Sequence, residues 1–229
     1  MRFVVAIGLL IFLATGVQAA DWQWPAQISL GGFRIVDISG SAKSDGSGSA
    51  TGTVQIANLG NSRVSLMRTS RGEISGNLSL DTRAVRGSFK VSDRGMQGRG
   101  TVECSPRVID SNSVDINPRG EASGNGNLGL GRLNVNVDFR VGGSSCSANG
   151  SAPVRVQADT AVATYKFEGN LAVQGGGSKL SGNVSGRVER TGKLSNQTTM
   201  FTIPKTSVDL ANGQCVVNVG GVSVTFTLF

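Results

Sequence analysis

Apolar and polar residues alternate with a period of two along most of this chain. The clearest example is segment 132–141, in which every odd position from Leu133 to Val141 is apolar and every even position is polar. Successive side chains of a β-strand point to opposite faces, so this pattern predicts a strand with one buried and one solvated face. The same alternation predicts strands at 85–91, 165–173, 180–188 and 222–228.

Weaker alternation extends the prediction to about a dozen strands. The weaker segments are 33–39, 51–57, 63–67, 72–80, 98–104, 153–158, 198–203 and 214–219. Gly, Ser, Asn and Asp fill the intervening segments and are typical of tight hairpin turns, and consecutive hairpins favour an antiparallel meander. We therefore predict an all-β fold without helices, in which the meander forms a sandwich, a barrel-like roll or a curved open sheet.

The N-terminal residues have the pattern of a secretory signal peptide. Arg2 precedes an apolar run at 3–14, and small residues lead up to a cleavage site between Ala19 and Ala20. The run is shorter than the ~20 residues that cross a bilayer. We predict that 1–19 is a cleaved signal peptide and that the protein is exported, either to the periplasm or to the cell surface and medium.

The remaining chain, 20–229, is predicted to be a single all-β domain. Its composition does not change sharply at any point that would separate two domains. The least regular stretch is 105–126, which has weak alternation and could join two halves. A single β-domain of this length is common.

The composition excludes several kinds of catalysis. The 229 residues include 33 Gly and no His, so no Ser-His-Asp triad, Cys-His pair or histidine-ligated zinc can form. The acidic residues are scattered, and no phosphate loop or metal-ligand spacing is present. We predict a protein that is not an enzyme and has no cofactor and no metal. A hydrolase with two converging carboxylates remains the catalytic alternative, because sequence does not show which acids meet.

Three cysteines occur in a chain that is predicted to be exported. The oxidising compartments outside the cytoplasm permit disulfides, and an odd count leaves one thiol unpaired. Cys104 and Cys146 have polar neighbours that include serines, whereas Cys215 begins an apolar alternation. These flanks favour a Cys104–Cys146 disulfide with Cys215 as a buried free thiol, although all three pairings remain open on sequence alone.

Two sets of residues are candidates for contacts with a ligand or partner. Trp22 and Trp24 alternate at the start of the mature chain, where one opening strand would place both rings on one side. They either plug the end of the core or contact a partner, ligand or membrane interface. The second set, which either lines an apolar groove or belongs to the ordinary core, is Leu133, Val135, Val137, Phe139 and Val141.

The charge of the chain restricts its partners. Lys and Arg total 22 against 15 Asp and Glu, a formal net charge of +7. The arginines are mildly concentrated between Arg63 and Arg119, without the interleaved aromatic residues of a base-stacking surface. We therefore expect no nucleic-acid partner, and we regard an anionic envelope surface, such as lipid head groups or acidic glycan, as the better match.

Three glycine-punctuated segments resemble a broad group of bacterial envelope β-sheet proteins. The segments are 38–42, 50–56 and 72–80, with the sequences ISGSA, ATGTVQI and GEISGNLSL. They are similar in style to strands of AsmA/TamB-like proteins and of the periplasmic N component of type II secretion. The resemblance covers 28–102. It implies an extended sheet with an apolar inner face that holds lipid or contacts assembly partners.

These observations lead to one main functional expectation and two alternatives. We expect an exported, non-catalytic envelope protein with a structural or binding role that contacts lipid or an assembly partner. The alternatives are a self-associating surface or assembly subunit, whose strand edges pair between copies, and an integral outer-membrane β-barrel. The oligomeric state is left open by the sequence.

Overall fold

The structure, a computed structural model, describes residues 22–229, so the predicted signal peptide at 1–19 lies outside the described residues. The prediction of an all-β antiparallel meander is confirmed, and the described part of the chain contains no helix. Sixteen strands form, more than the predicted dozen. They are β1 (Ile28–Leu30), β2 (Phe33–Ala42), β3 (Gly48–Ile56), β4 (Gly60–Arg68), β5 (Ile74–Asp81), β6 (Val85–Ser92), β7 (Gly95–Cys104), β8 (Arg107–Ile116), β9 (Ala122–Leu130), β10 (Leu133–Gly142), β11 (Ser145–Asp159), β12 (Ala163–Gly176), β13 (Lys179–Gly192), β14 (Thr198–Val208), β15 (Gln214–Val219) and β16 (Val222–Thr227).

Strands β1 to β14 form one sheet in strict sequence order, and β15 and β16 form a separate hairpin. Each strand pairs antiparallel with the next, because short turns return the chain beside the strand it has just left. The ladder does not close between β1 and β14. Of the three forms expected for the meander, the structure is therefore a curved open sheet.

The sheet winds into a coil, because its turns contact turns that lie five strands further along the chain. The backbone at Gly31, between β1 and β2, lies against Gly95 in the β6–β7 turn. The Ala57 N–H, after β3, donates to the Pro118 carbonyl after β8 at 3.4 Å. The Leu180 N–H at the start of β13 donates to the Ser105 carbonyl after β7 at 2.7 Å. One face of the sheet is consequently turned inward.

The inward face supplies a single hydrophobic core that extends from Leu30 to Leu228. Strand β10 shows how the sequence pattern produces it: Val135, Val137 and Phe139 are buried, whereas Asn136 and Asp138 between them are exposed. Removal of these alternate side chains from water is the main driving force for such a fold. The predicted amphipathic strands thus place their apolar residues on the inner face of the coil.

The hairpin β15–β16 packs against β11 and β14 and adds its own apolar face to the core. Phe226 is buried and its ring lies 5.8 Å from the ring of Phe167 in β12, centroid to centroid. Cys215, at the start of the alternation in β15, is also buried. The hairpin therefore covers core side chains that the open sheet leaves uncovered.

The irregular stretch at 105–126 contains β8 and the beginning of β9, both paired with their neighbours in the sheet. A β-bulge at 111–113 explains the weak alternation, because the extra residue shifts the buried positions of β8 by one. The buried Ser111 hydroxyl stabilises the bulge by donating to the carbonyl of Asn125 at 2.7 Å.

Close approach between strands accounts for part of the high glycine content. Gly169 in β12 and Gly186 in β13 face each other, and a Cβ atom at Gly169 would collide with the carbonyl oxygen of Ser185. The sheet can curve this tightly here because neither residue has a side chain.

Gly169→Ala is therefore expected to lower the free energy of unfolding by about 1–3 kcal/mol, the usual cost of overpacking. Gly176→Ala, near the end of the same strand, is the matched control. No atom beyond its chain neighbours lies within 4 Å of the position that an added Cβ atom would take. We therefore expect the free energy of unfolding to stay unchanged or to rise by about 0.4–1 kcal/mol, because alanine makes the unfolded chain less flexible. Urea denaturation of both variants measures the difference, and equal effects would contradict the close approach.

Candidate functional site

A disulfide joins two turns that are distant in the sequence. Cys104 ends β7 and Cys146 lies at the start of β11, 42 residues later, with their Cα atoms 5.6 Å apart. Both are buried. The structure therefore contains the pairing that the flanking residues favoured. Cys215 remains a free thiol, and burial raises its pKa, which keeps it protonated and unreactive at neutral pH.

Backbone hydrogen bonds hold further turns around the disulfide. The Glu103 N–H donates to the Ala84 carbonyl at 2.9 Å, which extends the β6–β7 ladder to the β5–β6 turn. The bond from Leu180 to Ser105 connects the β7–β8 turn to β13. Because the sheet coils, these turns meet at one place although they are far apart in the sequence.

A cavity of about 480 Å³ lies between these turns, beside the disulfide. We call it the disulfide cavity. Its lining residues come from five separate turns and are Asn58, Leu59, Thr82, Arg83, Ala84, Glu103, Ser105, Val141, Gly143, Ser144, Ser145, Cys146, Ser178 and Lys179. This volume is in the range of small-molecule sites in proteins.

The lining combines an apolar part with hydroxyl groups. Leu59, Ala84 and Val141 supply apolar side chains and pack with the core. The hydroxyls of Ser105, Ser144 and Ser178 make no side-chain hydrogen bond within residues 22–229; the Thr82 and Ser145 hydroxyls, in contrast, donate to the carbonyls of Val85 and Gly142. Three hydroxyls are therefore available to a ligand.

The charged residues of the cavity leave one cation free. Glu103 accepts from the Arg83 guanidinium at 3.4 Å in a pair whose arginine is largely exposed, so this pair contributes little to stability. Lys179 forms no ion pair with any carboxylate of the described chain. Lys179 therefore lines the cavity without an ion-pair partner, whereas Arg83, the other cation of the lining, is paired with Glu103.

Trp22 and Trp24 lie in the irregular segment that precedes β1. Their rings meet edge to face with centroids 4.7 Å apart, and the Arg68 guanidinium lies 4.3 Å from the centroid of the Trp22 ring. The Trp24 indole N–H donates to the Ser41 carbonyl at 3.2 Å. The expected opening strand is absent here, because residues 22–27 are irregular and β1 begins at Ile28. Both rings are half-buried, and they do not line the disulfide cavity.

The predicted apolar groove residues of β10 are part of the packed core. Val135, Val137, Phe139 and Val141 are buried, and Leu133 is half-buried against the core. Val141, at the end of the strand, also lines the disulfide cavity. Apart from Val141 and the disulfide candidate Cys146, the lining residues were not among the sequence-predicted site residues, since serines and a lysine in separate turns show no common motif.

Residues 22–229 contain no cluster of side chains suited to holding a metal ion, and no helix in this part of the chain is long and apolar enough to cross a membrane. Comparison with known proteins gives no relative: no family model matches the chain, and no curated protein or solved structure is significantly similar. The geometry of the disulfide cavity is therefore the basis for a functional proposal.

Proposed function

We propose that this protein is an exported, non-catalytic envelope protein whose disulfide cavity binds a small amphipathic molecule with an apolar body and one anionic group. The observation behind the proposal is that the unpaired Lys179 and three serines without side-chain hydrogen bonds line the same cavity as the apolar residues Leu59, Ala84 and Val141. Ligand sites are commonly apolar cavities with a few convergent polar groups, and this cavity has that composition.

The apolar wall favours a hydrocarbon body in the ligand. Leu59 and Ala84 are half-buried and present carbon surface that is partly open to solvent at the cavity, and covering it releases water. An anionic group in the same molecule would lie near Lys179 and accept from the hydroxyls of Ser105 and Ser178. Hydrogen bonds with one charged partner are stronger than neutral ones.

Two further observations support the other parts of the proposal. A disulfide persists in the oxidising compartments outside the cytoplasm, in agreement with the leader-like residues at 1–19. In the cavity, the carboxylate of Glu103 is paired with Arg83, and the chain contains no histidine that could activate one of the serines. These features support a binding role rather than hydrolysis.

Lys179→Met tests the proposal, because it removes the charge and keeps most of the side-chain length. We expect the mature protein to bind decanoate and decyl phosphate in calorimetric titrations, and the variant to bind both about ten-fold more weakly through loss of one charge-assisted contact. Decanol, which has no charge, is expected to bind both proteins equally. The comparison between decanoate and decyl phosphate shows which anionic group the cavity prefers.

Lys205→Met is the matched control, since Lys205 is an exposed lysine in β14 that does not line the cavity. It should leave decanoate binding unchanged. Ala84→Phe fills the cavity and should weaken binding of all three probes. The proposal is wrong if none of the probes binds the wild-type protein, or if Ala84→Phe binds them as tightly as the wild type does.

A further inference from the structure

A second concavity lies on the solvent side of the sheet over β5, β6, β7 and β8, with a volume of about 720 Å³. We call it the basic concavity. Its exposed side chains are six neutral polar groups and two cations: Asn77, Ser79, Ser88, Lys90, Gln97, Arg99, Asn112 and Ser113. No carboxylate lines it. It shares no residue with the disulfide cavity.

The antiparallel register aligns these side chains in two rows across the strands. Lys90 lies between Asn77 and Gln97, and in the neighbouring row Ser88 lies between Ser79 and Arg99. The two cations occupy diagonal positions of the β6–β7 ladder, which places their Cα atoms about 7–8 Å apart. Each cation is thus surrounded by amide or hydroxyl groups on adjacent strands.

The surface is concave because the strands beneath it are irregular. The bulge of β8, stabilised by Ser111, presents Asn112 and Ser113 as two successive exposed residues. At Gly98 a Cβ atom would collide with the Ser88 carbonyl oxygen and contact the Phe89 ring, so this glycine lets β6 and β7 bend sharply. The depression is therefore built into the backbone rather than formed by flexible side chains.

The two cations of the basic concavity are electrostatically unsatisfied. Lys90 and Arg99 form no ion pair with any carboxylate among residues 22–229. The cations on the outer face of β11–β13 differ, because Glu168 lies between Arg155 at 3.6 Å and Arg187 at 2.9 Å. The hydrogen bond from Arg187, together with the charge of both arginines, lowers the pKa of Glu168. Glu168 thus offsets part of the charge of Arg155 and Arg187, whereas Lys90 and Arg99 have no carboxylate partner among residues 22–229.

We propose that the basic concavity binds a segment of an acidic polysaccharide. Unpaired cations suit the carboxylates of the polymer, and the surrounding amides and hydroxyls can donate to and accept from its hydroxyl groups. A concave surface follows a chain-like ligand, whereas a bilayer presents a plane. This site is independent of the proposed function of the disulfide cavity, because the two surfaces have no residue in common.

Binding of alginate, a polymer of uronic acids, tests the proposal with two charge-matched double variants. Lys90→Ser with Arg99→Ser is expected to weaken alginate binding about ten-fold, the combined effect of two exposed charge contacts. Arg155→Ser with Arg187→Ser removes the same charge from the cluster in which both arginines are paired with Glu168, and it should change the affinity by less than about two-fold. Equal losses in both double variants would mean that only net charge matters and would overturn the proposal.

Asn112→Asp provides a second test that changes charge with almost no change in shape. A carboxylate at this position should repel alginate and weaken its binding, whereas Asn134→Asp, on the exposed face of β10, should not. Neutral dextran should bind poorly to every protein. Tighter binding to vesicles of phosphatidylglycerol and phosphatidylcholine than to alginate would identify a membrane surface instead, and no alginate binding by the wild type would refute the site.

Discussion

Replacing Cys104 and Cys146 by alanine is expected to lower the free energy of unfolding by about 4 kcal/mol. The disulfide closes a segment of 42 residues, and the chain-entropy relation for a loop of this size gives roughly that value. Both sulfur atoms are also buried, so their removal loses packing in the core. The same variant should lose affinity for decanoate, because Cys146 lines the disulfide cavity.

Urea denaturation with and without a reducing agent measures this effect. Reduction should shift the wild-type midpoint towards that of the double variant and should not shift the double variant further. Cys215→Ala is the control: it retains the disulfide and loses only one buried thiol, so it should remain sensitive to reduction. A wild-type midpoint that does not respond to the reducing agent under conditions that break the bond would contradict the expected stabilisation.

Phe167→Ala is expected to lower the free energy of unfolding by about 3–5 kcal/mol, the range for removal of a large buried aromatic side chain. Phe167 is 2% exposed in β12, and its ring contacts that of Phe226 in β16. The substitution leaves a cavity between the main sheet and the β15–β16 hairpin. It should therefore weaken the attachment of the hairpin in addition to reducing global stability.

Urea denaturation reports the global loss, and amide hydrogen exchange reports the local one. The amides of β15 and β16 should exchange faster in Phe167→Ala by a larger factor than those of β5 and β6. Phe201→Ala, in edge strand β14, removes a half-buried ring of the same size and should lower the free energy of unfolding less than Phe167→Ala does. If both substitutions lower the free energy of unfolding equally, the contact between Phe167 and Phe226 does not contribute the expected additional stability.

The strands that were easiest to predict are those in which alternation and burial coincide. In β10 each apolar residue from Val135 to Val141 is buried and each intervening residue is exposed. Strand β8 was missed because the bulge at 111–113 interrupts the alternation, and β1 was missed because three residues are too few to show a period. Strand β9 was missed because glycine and asparagine occupy most of its positions. The prediction from pattern therefore fails where the backbone departs from a regular ladder or where few apolar residues mark the buried face.

The sequence predicted the disulfide but not the residues that surround it or the unpaired cations of the basic concavity. Polar flanks favoured the Cys104–Cys146 pairing, but all three cysteines are buried, and only the coiling of the sheet brings Cys104 and Cys146 together. The neighbours of the disulfide, such as Ser105 and Lys179, could not be identified, since turns contact one another only after the sheet has coiled. The cations Lys90 and Arg99 are visible in the sequence, but their lack of ion-pair partners is a property of cross-strand register.

The sequence by itself determined the strand type, favoured an antiparallel meander, and determined most inward-facing residues and the absence of histidine chemistry. These properties are local: they depend on alternation, turn residues and composition, each of which is present within a few consecutive positions. Only the tertiary structure decided that the sheet stays open and coils, which turns surround the disulfide and which cations remain unpaired. These properties depend on the cumulative bending of many strands at bulges and paired glycines, which brings together residues whose separation along the chain has no signature in the sequence.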